Sequence, residues 1–181
     1  EPIEQNKLIF YPAIRSEWLV AIAENNPLAQ DGALNAKAGC PKLPLIQLQD
    51  VPFIGMTQNT FSHDLQLSLA RQAGFTPLTV YETSNVYLSR DMTRILSGYT
   101  FLPADRCVAG CGLRYFSSDP PCYTAPGFYL RKNLEITDSF AYFLYLLTAK
   151  LLENEPLYPD VTCLSPFLTG LLNRFGGSAY V

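Results

Sequence analysis

The chain has 181 residues, 48% of them hydrophobic and 16% charged, with a formal net charge of −3. This supports one or two cored globular lobes and excludes a disordered chain. The thirteen scattered Lys and Arg residues leave neither the footprint of a nucleic-acid binder nor a polybasic membrane patch. In chain order, residues 8–11 read as a short strand and 12–17 as a polar turn. Residues 18–23 (WLVAIA) read as a continuous apolar strand, buried on both faces and central in its sheet. The run from Asn25 to Ala29 breaks it, residues 30–42 read as a loop or a weak helical turn, and 44–47 and 51–56 as brief strands. The polar run 57–60 opens a helix whose apolar positions Phe61, Leu65, Leu69 and Ala73 recur every four residues and which ends at Gly74.

Residues 77–106 repeat the layout without a break. Leu78, Thr79, Val80 and Tyr81 form a strand, and residues 82–85 offer cap oxygens. Leu88, Met92, Ile95 and Leu96 define an amphipathic helix, Gly98 closes it in the left-handed conformation, and Tyr99 to Leu102 return as a strand that Pro103 stops. This βαβ unit predicts a parallel sheet with binding groups where strands end and helices begin. Farther on, 108–112 read as a turn, 113–116 as a strand, 117–121 as a second turn and 127–131 (GFYLR) as a strand. Thr137 or Asp138 caps a helix over 139–152 with Phe140, Phe143, Leu144, Leu147 and Leu151 inward. A last helix over 166–174 is capped by Ser165 and ended by Gly176 and Gly177. Lys150 interrupts the apolar run 140–152, which is too short to cross a bilayer. Pro156 and Pro159 break the pattern after it, and the tail 156–181 suggests no role.

The five cysteines, Cys40, Cys107, Cys111, Cys122 and Cys163, are an odd number, form no CxxC pair and are accompanied by one histidine, His63. That argues against a disulfide framework and a closed zinc site, and no cofactor is expected. Cys107 and Cys111, four apart, read as loop or core thiols, with a redox pair as the alternative. A nucleophilic use of Cys107 or Cys122 with His63 as base has no motif behind it, and burial of the thiols would end it.

Several segments together resemble the effector-binding domain of LysR-type transcriptional regulators. The strand WLVAIA is followed by Asn26-Pro27-Leu28-Ala29, where that family has His-Pro-Leu-Ala. Later come Pro52-Phe53-Ile54, a helix ending in Ala73-Gly74-Phe75-Thr76-Pro77, and the Gly-x-x-x-Leu-Pro turn from Gly98 to Pro103. Order and spacing agree over about residues 8–152; Asn26 in place of histidine and the bulky Tyr99-Thr100-Phe101 depart from the pattern. The resemblance implies a periplasmic-binding-protein-like (type 2) α/β fold, with a mixed, mostly parallel sheet flanked by helices and an effector held between two lobes. Residues 18–129 would be a nearly complete second lobe; 1–17 and 130–155 would be a partial first lobe. The chain, which begins Glu1-Pro2, then reads as a truncated product without the helix-turn-helix domain of such regulators. An incomplete first lobe would expose the WLVAIA and GFYLR strands and favour self-association.

The function so implied is non-enzymatic and cytoplasmic: sensing a small organic effector, a carboxylate by its physical chemistry. A homodimer would form through the helix 60–74 with Leu67 outward, DNA would be reached only through the missing domain, and no membrane is involved. The alternative is a fragment of a periplasmic-type solute receptor. The candidate ligand residues are Thr57, Gln58, Asn59, Thr60 and Phe61 at one helix start, Thr83, Ser84 and Asn85 at the other, and Phe101 as an apolar wall. Helix N-termini carry unsatisfied N–H groups and a positive dipole end, which suits an anion. Thr, Ser and Asn there are equally what any helix cap requires.

Overall fold

The computed structural model describes residues 3–5, 7–34, 39–152 and 164–176; Pro156, Pro159, Cys163 and Gly177 lie outside them. The strands in chain order are β1 (Ile3–Gln5), β2 (Leu8–Pro12), β3 (Ser16–Ala23), β4 (Lys42–Pro44), β5 (Pro52–Met56), β6 (Leu78–Thr83), β7 (Tyr99–Pro103), β8 (Leu113–Thr124) and β9 (Gly127–Arg131). The helices are α1 (Phe61–Gln72), α2 (Val86–Ile95), α3 (Asp138–Leu152) and α4 (Pro166–Phe175). The chain forms two compact units, Glu1–Ser16 with Tyr123–Val181, and Glu17–Cys122.

In the unit Glu17–Cys122 a six-stranded sheet has the order β4-β8-β3-β7-β5-β6. β5 is parallel to β6 and to β7, β4 is parallel to β8, and β3 runs antiparallel to β7. The apolar run at 18–23 is therefore interior, and its period of two divides it between two cores. Trp18, Val20 and Ile22 join Phe53, Tyr99, Phe101, Leu69 and Ala70 on the α1 face. Leu19, Ala21 and Ala23 join Leu102, Leu113 and Tyr115 on the other. Each large apolar side chain so buried stabilises by roughly 1.5–3 kcal/mol. The expectation that this strand would be left bare is thus overturned, because its own unit covers both faces. On GFYLR, by contrast, Tyr129 is 55% exposed and lies against Phe10 with ring centroids 4.7 Å apart.

Several local readings are corrected. Residues 44–47 are not a strand: β4 stops at Pro44 and Leu45–Leu48 form a 3-10 turn that buries Leu45 and Leu48. The predicted turn at 117–121 is the second half of one long strand, β8. Ser117, Ser118 and Asp119 pair with β4, and the two prolines follow where no N–H is required. In α1, Phe61 is 67% exposed instead of inward. In α2 the apolar stripe is also reversed: Ser89 and Thr93 are buried, while Leu88, Ile95 and Leu96 are exposed. The Ser89 and Thr100 hydroxyls hydrogen-bond at 3.1 Å, and Thr93 donates to the Ser89 carbonyl at 2.8 Å, so small satisfied side chains let the helix approach the sheet. The left-handed residue ending α2 is Ser97 (φ 53°), not Gly98, whereas Gly74 (φ 87°) behaves as expected.

The Tyr99 ring is fully buried, burial pushes its hydroxyl pKa well up, and that hydroxyl has no hydrogen-bond partner. A buried unsatisfied group carries its full desolvation cost. Tyr99→Phe is therefore expected to raise stability by about 1 kcal/mol, measured by urea unfolding; a loss of stability would show that the hydroxyl is bonded.

The unit Glu1–Ser16 with Tyr123–Val181 holds an antiparallel sheet, β1-β2-β9, and the pair α3 and α4. Thr137 Oγ1 accepts the Phe140 N–H at 3.3 Å, and Ser165 Oγ accepts that of Leu168 at 3.4 Å. Ala13, Ala141, Leu144, Leu168 and Leu171 form its core. The inward stripe read for α3 is corrected: Leu144 is buried with Ala141, Thr148 and Ala149, but Phe143 and Leu147 are exposed. An almost wholly apolar helix gives periodicity nothing to select. Among the described residues no helix is long and apolar enough to cross a membrane.

Candidate functional site

Parallel β5 and β6 end side by side, with Met56 opposite Thr83 and the Thr57 N–H donating to the Thr83 carbonyl at 3.1 Å. The two turns singled out in the sequence therefore leave the sheet together. Both are capped from within. Thr60 Oγ1 accepts the His63 N–H at 3.2 Å and donates to the Thr57 carbonyl at 2.9 Å, after Asn59 has reversed the chain with φ 63°. Thr83 Oγ1 accepts the Asn85 N–H at 3.1 Å, and Asn85 Oδ1 accepts those of Tyr87 and Leu88 at 2.9 and 3.2 Å. Gln58, Ser84 and Asn85 are exposed.

A hollow of about 160 Å³ lies beside these turns, lined by Trp18, Met56, Ser62, Val86, Phe101, Pro103 and Arg106. Its construction follows from the strand order. Antiparallel pairing sets Trp18 opposite Pro103 at the end of β7. Ser62 in the first turn of α1 and Val86 opening α2 reach it from helices on the two faces of the sheet. Of the nine residues expected from the sequence, Phe101 lines the hollow; the other eight do not, Thr57, Gln58, Asn59, Thr60, Ser84 and Asn85 lying in the adjoining turns, Thr83 at the end of β6 and Phe61 at the start of α1. Trp18, Met56, Ser62, Val86, Pro103 and Arg106 were not legible. The pairing of β3 with β7, which brings Trp18 to this end, leaves no local mark.

Arg106 supplies the formal charge. Its Nη1 donates to the Tyr87 hydroxyl at 2.8 Å, and its Nε lies 3.2 Å from Asp105 Oδ2. The guanidiniums of Arg90 and Arg106 lie 5.6 and 5.8 Å from the centroid of the Tyr87 ring. Burial raises the Asp105 pKa above the usual carboxylate value, with Arg106 opposing. Because the caps already take the N–H groups of His63, Tyr87 and Leu88, contrary to the expectation of unsatisfied helix starts, the attraction for a small anion rests on the Arg106 guanidinium, and the Trp18 and Phe101 rings offer a wall to a flat apolar body.

A second hollow, about 440 Å³, is lined by Lys7, Arg131, Lys132, Asn133, Leu134 and Glu135 in the other unit. It is framed by the turn after β9, where the Lys132 N–H donates to the Lys7 carbonyl, and by the paired ends of β2 and β9, where Leu8 stands opposite Arg131. Neither Cys107 nor Cys122 is an activated nucleophile: Cys107 is 5% exposed and burial holds its pKa well up, and burial raises that of Cys122; Cys40 is likewise pushed up to about 11. His63 faces Asp64 at 3.0 Å. Among the described residues no group of His, Cys, Asp and Glu is arranged to hold a metal.

No protein-family model matches the chain, and no curated protein does. Solved structures do. The regulatory domain of CcmR from Synechocystis, in complex with 2-PG, matches with a TM-score of 0.62 at 16% identity over 83% of this chain and 70% of that one. The effector-binding domain of BenM with benzoate matches at 0.59 and 20% identity, over 87% and 70%. HinK, a LysR family regulator from Pseudomonas aeruginosa, matches at 0.61 and 15% identity over 82% of this chain; the match spans 51%, about half, of the HinK chain. The chain thus has the fold of LysR-type effector-binding domains, a periplasmic-binding-protein-like α/β architecture of the second type.

Proposed function

We propose that this chain is the effector-sensing domain of a cytoplasmic LysR-type regulator and that it takes a small organic anion in the hollow beside β5 and β7. It works without catalysis. The observation that carries the reading is the convergence of Trp18, Arg106 and the first turns of α1 and α2 on one hollow. Benzoate and shikimate, bound by BenM and by QuiR, are anions of the corresponding size and kind. Contact with DNA belongs to a helix-turn-helix domain of the full-length regulator, and pairing with a second copy to the helix α1.

The chain's single tryptophan, Trp18, lines the hollow, so its emission reports occupancy. Titration with benzoate or benzenesulfonate is expected to change Trp18 fluorescence saturably and to raise the melting midpoint. A flat fluorescence trace with an unmoved midpoint for both anions would defeat the reading.

A further inference from the structure

The side chain of Gln66 is 1% exposed. A buried carboxamide is costly unless its donors and acceptor are used, and this one joins two strands that do not otherwise meet there. Its Oε1 accepts the Met56 N–H at 2.9 Å, and its Nε2 donates to the Phe101 carbonyl at 3.1 Å. β5 and β7 pair through Phe53 and Tyr99 alone. Beyond that point β5 stays with β6 as far as Met56, and β7 stays with β3 as far as Pro103. The strands part, and an amide from α1 stands in the gap. Met56 and Phe101, the two residues it ties, both line the hollow.

We propose that Gln66 is the positioning residue of this site, a wedge whose carboxamide sets the spacing of Met56 from Phe101 and hence the width of the ligand hollow. It deepens the reading above and rests on it for the ligand. Leucine or methionine at this position would leave the Met56 N–H and the Phe101 carbonyl unpaired. Ionised glutamate would accept from Met56 but face the carbonyl with a second acceptor, whereas protonated glutamate offers one donor and one acceptor and reproduces both bonds.

The test compares wild type, Gln66→Met and Gln66→Glu, with benzenesulfonate as probe because it stays ionised across the pH range. The wild type, with the same His63, Asp64, Asp105 and Arg106, is the control for every other titrating group. Gln66→Met is expected to bind roughly tenfold more weakly at every pH. Gln66→Glu should bind as weakly at neutral pH and regain wild-type affinity on acidification. A wedge with only a structural role would lower the melting midpoint of Gln66→Met and leave its affinity unchanged, and a charge effect alone would spare that variant; either result overturns the proposal.

A ligand-free arm separates this proposal from the function. With two methionines in the chain, the Met56 methyl carbon resonance is readily assigned. It should move in Gln66→Leu, which keeps the two native methionines, and, in Gln66→Glu, return toward its wild-type position as pH falls. If wild type binds no sulfonate yet the resonance behaves so, the wedge stands and the ligand reading falls. An unmoved resonance in both variants removes the wedge.

Discussion

Replacing Gly98 by alanine is expected to destabilise the unit Glu17–Cys122 by about 3 kcal/mol, seen as a lower urea midpoint. A Cβ at this position would press into the Pro52 carbonyl and come within 2.7 Å of Ile54 Cδ1. Neither can retreat easily. The carbonyl belongs to β5, and Ile54 is fully buried. Gly98 cannot move either, since its N–H donates to the Thr93 carbonyl and its own carbonyl accepts the Ala23 N–H, both at 3.0 Å. Gly74→Ala is the useful contrast. That position is left-handed, and a Cβ there meets nothing within 4 Å, so only conformational strain of roughly 1 kcal/mol opposes it. Equal losses for the two variants would mean that close approach is not what holds Gly98.

Arg106→Leu is expected to weaken benzenesulfonate binding about 30-fold, or about 2 kcal/mol, the usual worth of a hydrogen bond to a charged group. Asp105→Asn should act the other way, because the Asp105 carboxylate competes with the ligand for the same guanidinium. The pH dependence has a definite sign. Burial raises the Asp105 pKa, so as pH falls through that value the carboxylate is neutralised, Arg106 is released and affinity for a permanently charged sulfonate rises. In Asp105→Asn that rise should disappear. Calorimetric titration of the three proteins at several pH values checks both expectations. Undiminished binding by Arg106→Leu would place the anion elsewhere.

Legibility followed how local each cause was. The cap at Ser165, and the polar runs 57–60 and 82–85 that contain the caps Thr60 and Asn85, were readable because a cap is settled within three residues by one oxygen and one N–H. The central strand at 18–23 was readable because only an interior strand can be apolar on both faces. Helix faces were harder. Periodicity identified α2 but put its leucines inward, while the sheet accepted Ser89 and Thr93, whose hydroxyls find partners on Thr100 and Ser89. The prolines near 120 suggested a turn, since the pairing of β8 with β4 that keeps the strand extended is made with residues far away in the chain.

By itself the sequence determined the existence and order of the strand-helix units, the two capped helix starts and the apolar strand between two cores, because each depends on residues within one or two turns of one another. The tertiary structure alone decided the candidate site. Trp18 and Arg106 stand 88 positions apart in the numbering and line one hollow because β3 runs antiparallel to β7. Gln66 became a bridge because β5 and β7 separate after one pair. Strand order and register arise from long-range packing, which leaves no periodic trace in a single stretch of chain.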